Sequence, residues 1–116
     1  MASLPYMPLY ISDHLADTAH LCPSAFGAYT LLLMNYWQRG KPLPDDDSGL
    51  ARIAHMSASE WESVKGRVRA FFQARDGVLV HKRVEKELQQ VYAKSKIRSD
   101  VARTAAARRA ALTLVE

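Results

Sequence analysis

Cysteine occurs once in this chain, at Cys22, so an internal disulfide and a thiolate-built metal site within one polypeptide are both excluded. Buried packing is the role expected for that thiol. No apolar run approaches the ~20 residues a membrane helix needs, since Ala28 to Met34 is far too short. Residues 1–10 hold two prolines and lack a basic leader, so no secretory signal is read there and a cytoplasmic location is expected. A Gly-rich phosphate loop, a nucleophile elbow and a Cys-His pair at useful spacing are missing as well. The sequence therefore offers no catalytic residue and calls for no cofactor, and an enzyme is not expected.

What is present is an ordinary globular composition, 48% apolar over 116 residues, enough for one domain with a single core. The net charge is +4, and its distribution says more than its total. Residues 1–60 carry 3 basic and 6 acidic side chains, whereas residues 61–116 carry 13 basic and 6 acidic. A positive field in the latter half would attract polyanions such as a phosphate backbone.

The stretch from Leu43 to Arg83 spells a winged helix-turn-helix. Leu43-Pro44-Asp45-Asp46-Asp47-Ser48 is a turn offering carboxylates to the free amides of a helix start, and Leu50 to His55 continues that helix. Ser57 and Glu60 stand at capping-box spacing, opening a second helix from about Ala58 to Gln73. Its apolar positions Trp61, Val64, Val68, Phe71 and Phe72 should face the core. Ser63, Lys65, Arg67 and Arg69 then form an outer face, mostly basic, with Glu62 beside them. Asp76-Gly77 is a two-residue hairpin signal, pairing Phe72 to Arg75 with Val78 to Lys82 as a wing. The alternation along the second arm leaves open which side of it faces solvent.

Upstream, Met7 to Ile11 is short, apolar and extended by its proline, and a third strand beside the wing is expected there. Pro23 suits a first helical position, and Phe26, Tyr29, Leu32, Leu33, Tyr36 and Trp37 make the stripe of a central core helix that Gly40 terminates. Gly27 inside that helix implies close packing against another element. Beyond Arg83 a long helix is expected, with Val84, Leu88, Val91 and Tyr92 on its apolar edge. From Lys94 the composition turns basic and Ala-rich, and only Val101, Ala105, Leu112 and Val115 continue a thin stripe. A helix pairing with a second subunit, a frayed tail and an arm on DNA compete for that segment. The division expected is a winged-helix domain over 5–93 and a basic helix or tail over 94–116.

Asp13, His14, Asp17 and His20 gather carboxylates and imidazoles in one segment, but no distant cluster completes a metal shell and the aspartates serve equally as caps. No metal is expected. His55 and His81 read as structural or surface residues, His81 meeting a phosphate if it is protonated.

Met7-Pro8-Leu9-Tyr10, Asp13, Leu15, Asp17-Thr18, His20-Leu21, Gly27-Ala28-Tyr29, Trp37, Leu43-Pro44-Asp45-Asp46, Leu50-Ala51, Trp61, Phe72, Gly77 and His81-Lys82-Arg83 together resemble the YdaU-like family of prophage and bacterial proteins, a family of unknown function. The resemblance covers about residues 5 to 95 and implies a winged-helix domain similar to those of phage replication-initiation and primosome proteins, with no established catalytic activity. It also implies Ser or Thr where Cys22 stands, so the core helix is less well capped here.

The reading that follows is a mainly helical α+β protein: a winged helix-turn-helix with a short N-terminal strand, a two-stranded wing and a long C-terminal helix. Its expected role is a DNA-binding accessory of phage-type replication initiation. Lys65, Arg67 and Arg69 approach the groove or its flanking phosphates, and Arg75, Lys82 and Arg83 grip backbone through the wing, all on one outward ridge. The competing classes are a protein-interaction module that docks a helicase or loader, and a transcriptional regulator dimerised through the C-terminal helix.

Overall fold

A computed structural model of the chain describes residues 6–115, with side chains described for all of these but 99, 100 and 108–115. The elements run α1 (Ile11–Asp17), α2 (Pro23–Arg39), β1 (Leu43–Pro44), α3 (Asp47–Ile53), α4 (Ala58–Arg69), β2 (Gln73–Arg75), β3 (Val78–Val80) and α5 (Lys82–Val115). The chain is thus mainly helical with a small antiparallel sheet of strand order β1-β3-β2. It divides into two units, one ending at Glu85 and one starting at Lys86, inside α5 and ahead of the boundary expected after residue 93.

The first unit is built around α2. Pro23 occupies the start, where its missing N–H leaves no bond unmade, and Gly40 ends the helix at φ 70°, a left-handed conformation glycine adopts without a Cβ clash. Tyr29, Leu32, Leu33, Tyr36 and Trp37 are buried and Phe26 half-buried, so the stripe read from spacing is the core face. Fully burying a side chain such as Leu32 contributes about 1.5–3 kcal/mol. Two expectations fail on this helix. A Cβ added to Gly27 would meet nothing within 4 Å, so that glycine serves no close approach. Cys22 is exposed rather than packed, because it is the residue just ahead of the first turn; its Sγ lies 3.5 Å from Ser24 Oγ and makes no cap bond to the helix amides.

Asp46 caps α3, its Oδ2 accepting the Gly49 N–H at 3.2 Å. His55, at φ 60°, turns the chain toward α4. The capping box is formed as read: Ser57 Oγ accepts the Glu60 N–H at 3.2 Å, and Glu60 Oε1 accepts the Ser57 N–H at 2.9 Å. The second helix ends at Arg69, short of the expected Gln73. Phe71 and Phe72 donate their N–H groups three residues back, to Val68 and Arg69, which tightens the turn, swings Phe72 into the core and frees Gln73 to pair with Val80.

In the hairpin, Asp76 and Gly77 both take positive φ, 51° and 79°, as a two-residue turn of matching twist requires. Leu79 faces inward opposite Leu43, and both are buried, which decides the side of the hairpin left open by alternation. The third strand is Leu43–Pro44, not the N-terminal segment. The Gly40 turn carries Leu43 beside β3, and Asp45 N–H extends the pairing by donating to Gly77 O at 3.0 Å. Residues 6–10 form no strand; their backbone is held instead on α2, where Trp37 Nε1–H donates to Tyr6 O at 2.8 Å. The hairpin also closes sooner than expected, at Val80, because His81 caps α5. Lys82 and Arg83 therefore belong to the first turn of α5 and not to the wing.

In the second unit α5 continues as helix to Val115. Leu88 is buried and Val91 and Tyr92 are half-buried, whereas Ile97, Val101 and Ala105 are exposed. The side chains of Leu112 and Val115 lie outside the described ones. Among the described residues, no helix is long and apolar enough to cross a membrane.

Candidate nucleic-acid interface

The six cations singled out from the sequence do not share one ridge. Lys65 and Arg69, one turn apart on α4, lean over the start of α3 into the aspartate turn. Arg69 Nη1 is 2.7 Å from Asp45 Oδ1 and 3.8 Å from Asp47 Oδ1. Lys65 Nζ is 3.3 Å from Asp47 Oδ2 and 3.0 Å from Glu62 Oε2. Asp47 also accepts the Trp61 Nε1–H at 3.0 Å, so one carboxylate ties the first turn of α3 to the buried tryptophan and both cations of α4. The Trp61 bond, followed by Lys65 and Arg69, holds the Asp47 carboxyl below its ordinary range, and Glu62 and Asp47 raise the Lys65 ammonium.

Arg67 is displaced two positions from either neighbour, which turns it to the other side of the helix. Its charge is felt by Cys22, where the Ser24 hydroxyl and the nearby Ala25 backbone amide do most to lower the thiol pKa. Arg67, Arg75 and Lys82 are exposed and make no ion pair among the described residues. Arg83 is engaged: its Nη2 lies 3.2 Å from Asp13 Oδ2, and its guanidinium stands 5.5 Å from the centre of the Tyr10 ring. Ser63, placed on the same outer face, donates to Glu60 O at 2.6 Å and is occupied by its own helix.

The histidines are drawn inward. His14 is buried between Phe26 and Tyr29, with ring centres 5.3 and 5.6 Å away. His81 Nδ1 accepts the Val84 N–H at 3.3 Å, which leaves the proton on Nε2 to donate to Tyr29 Oη at 2.8 Å. Burial, and then Arg83, push the His81 pKa down to about 4, so the ring is neutral at physiological pH. The expected meeting of a protonated His81 with phosphate does not suit this site. Tyr36 completes the group, accepting the His81 N–H at 3.3 Å and donating to Glu85 Oε1 at 2.9 Å.

Neither the aspartate clamp nor the His81 cap was anticipated. The carboxylates of Asp45 to Asp47 and the cations of α4 each have a visible sequence pattern, and a helix-turn-helix brings such segments together; that juxtaposition was the available signal. His81 carries no local signature of a cap, since histidine is not among the usual capping residues.

The geometry defines a small α+β domain whose charged features are distributed over α4, the hairpin tip and the start of α5. A family profile described as "Protein of unknown function (DUF1376)" matches residues 5–89, and the chain belongs to that family. The uncharacterized protein YdaU of Escherichia coli (strain K12) is 47% identical over 91 residues, which make up 78% of this chain and 31% of that protein. The chain thus spans about a third of the length of that curated relative. No solved structure matches the chain.

Proposed function

We propose that this domain is a winged helix-turn-helix that binds nucleic acid without catalysis, α4 lying toward a groove and the hairpin acting as the wing. The order helix, strand, helix, helix, strand, strand from α2 to β3, with the first strand against the last, supports that reading. The observation that carries it is that three of the six cations, Arg67 on α4, Arg75 at the hairpin and Lys82 at the head of α5, are exposed and make no ion pair among the described residues. These are the groups that gain most from phosphate contact, because no internal ion pair has to be broken. Exposed Asn or Gln is lacking on α4, so duplex shape and backbone charge dominate over base reading. The setting inferred from the family resemblance is phage-type replication initiation, with a helicase or loader as a protein partner.

The test is fluorescence anisotropy with a short duplex and a matched single strand across a salt series. Binding should weaken steeply with ionic strength, and the triple change Arg67→Glu, Arg75→Glu, Lys82→Glu should weaken it at least about tenfold and flatten the slope by ~2–3. Lys65 and Arg69 are poor choices for reversal, because new carboxylates there would confront Asp45 and Asp47. Affinity unchanged by the triple variant, or a signal insensitive to salt, would refute the interface.

A further inference from the structure

Apolar side chains that the core does not use are concentrated at one place. Tyr6, Leu9, Ile11 and Leu15 are 81%, 41%, 67% and 59% exposed, and all lie on the segment leading into and forming α1. That segment runs along α2 in the opposite direction, fixed by Trp37 Nε1–H to Tyr6 O at one end and by His14 packed on Phe26 and Tyr29 at the other. Met34, 52% exposed, follows Thr30 by one turn and precedes Trp37 by another, so it stands on the same side. Together these five side chains offer on the order of 600 Å² of apolar surface, the upper end of what a monomer usually leaves uncovered.

We propose that this face joins two copies of the chain around a two-fold axis, α1 against α1. Three features select a second copy as occupant. The area is right: two such faces bury on the order of 1,200 Å², the lower bound for a specific interface and the range of a reversible dimer. The shape is self-complementary, because Ile11 and Leu15 are one turn apart, so an antiparallel meeting sets Ile11 of each copy against Leu15 of the other. The charge is also suitable: Asp13 on α1 is matched by Arg83 of its own chain, so like faces approach without a repelling pair there. A phosphate backbone does not fit, since the cation at this edge is already taken. A lipid surface does not fit either, since exposed Asp17 stands on the same helix as the apolar pair.

This inference is independent of nucleic-acid binding and concerns a different surface from the pairing of C-terminal helices considered from the sequence. Its test is sedimentation equilibrium of the full chain from about 5 to 500 µM, where a dimer of micromolar to tens-of-micromolar Kd is expected. Ile11→Glu with Leu15→Glu, both exposed, should weaken dimerisation at least tenfold while the far-UV spectrum and thermal midpoint hold. Ile97→Glu with Val101→Glu on α5 should leave the dimer intact. A wild-type chain that stays monomeric throughout the range overturns the proposal and leaves the face to a different protein. A dimer that survives the α1 changes, or is lost with the α5 changes, overturns it in favour of pairing through α5.

Discussion

Replacing His81 with Asn should change how stability responds to acid more than it changes stability itself. In the native protein the neutral ring caps α5 through Nδ1, bonds Tyr29 through Nε2, and lies edge-on to Phe72 with ring centres 5.3 Å apart. A second proton would occupy Nδ1, removing the acceptor for the Val84 N–H and placing a charge among aromatic rings next to Arg83. The folded pKa of about 4 lies below the value of 6.5 for a free histidine, so the unfolded chain binds the proton first. The stabilisation is therefore complete above pH 6.5 and is lost progressively as the pH falls toward 4. By linkage, bringing the pH from 7.5 to 4.5 costs about 2–3 kcal/mol through this group. Asn retains good capping chemistry but loses the ring contacts and the Tyr29 bond, so the variant should be about 1–2 kcal/mol less stable at pH 7.5. At pH 4.5 that deficit should vanish or reverse. Urea unfolding followed by the fluorescence of Trp37 and Trp61 measures both. Parallel stability profiles for the two proteins between pH 7.5 and 4.5 would refute the assignment of His81 as a buried neutral cap.

Two further outcomes follow from other contacts. Asp45→Asn with Asp47→Asn keeps the acceptor for Trp61 but releases Arg69 and leaves Lys65 with Glu62 alone, so affinity for a short duplex should rise severalfold and the salt slope should steepen by ~1 in the same anisotropy assay; an unchanged slope would show that Arg69 does not reach phosphate. Cys22→Ser gives α2 a capping oxygen in place of a sulfur that makes no cap bond, and should raise the free energy of urea unfolding by about 0.5–1 kcal/mol.

The parts of this fold that were legible in the sequence are those set by neighbours along the chain. Capping at Ser57 and Glu60, the stop at Gly40, the Asp76-Gly77 turn and the stripe of α2 each depend on residues a turn or less apart, and each is formed. The errors arose where tertiary contacts decided the outcome. Met7 to Ile11 has the apolar content of a strand, but Leu43 was delivered to the free edge of β3 by the turn after α2, and the edge had room for one strand. Val78 to Lys82 reads as one arm of a hairpin, but the bonds that His81 makes to Tyr29 and Val84, more than fifty residues and three residues away, end it at Val80. Cys22 looked like a core residue because cysteine usually is one, yet its position ahead of Pro23 places it at a helix entrance.

The candidate interface carries the same lesson about charge. Counting along the chain separates an acidic first half from a basic second half, which suggests a strong positive surface. Folding lays one on the other: Asp45 and Asp47 come from the acidic half and meet Arg69 and Lys65, and Asp13 meets Arg83. Three of the six cations are thereby matched internally, so of that set a single domain presents Arg67, Arg75 and Lys82 for about three phosphate contacts, a number that gives weak, salt-sensitive binding. Two domains joined through α1 would present twice that set on one particle, and the second contact would form at the effective concentration set by the dimer instead of the bulk. Dimerisation and nucleic-acid binding should then reinforce each other: each stabilises a state in which the other is more favourable, and linkage requires the same factor in both directions.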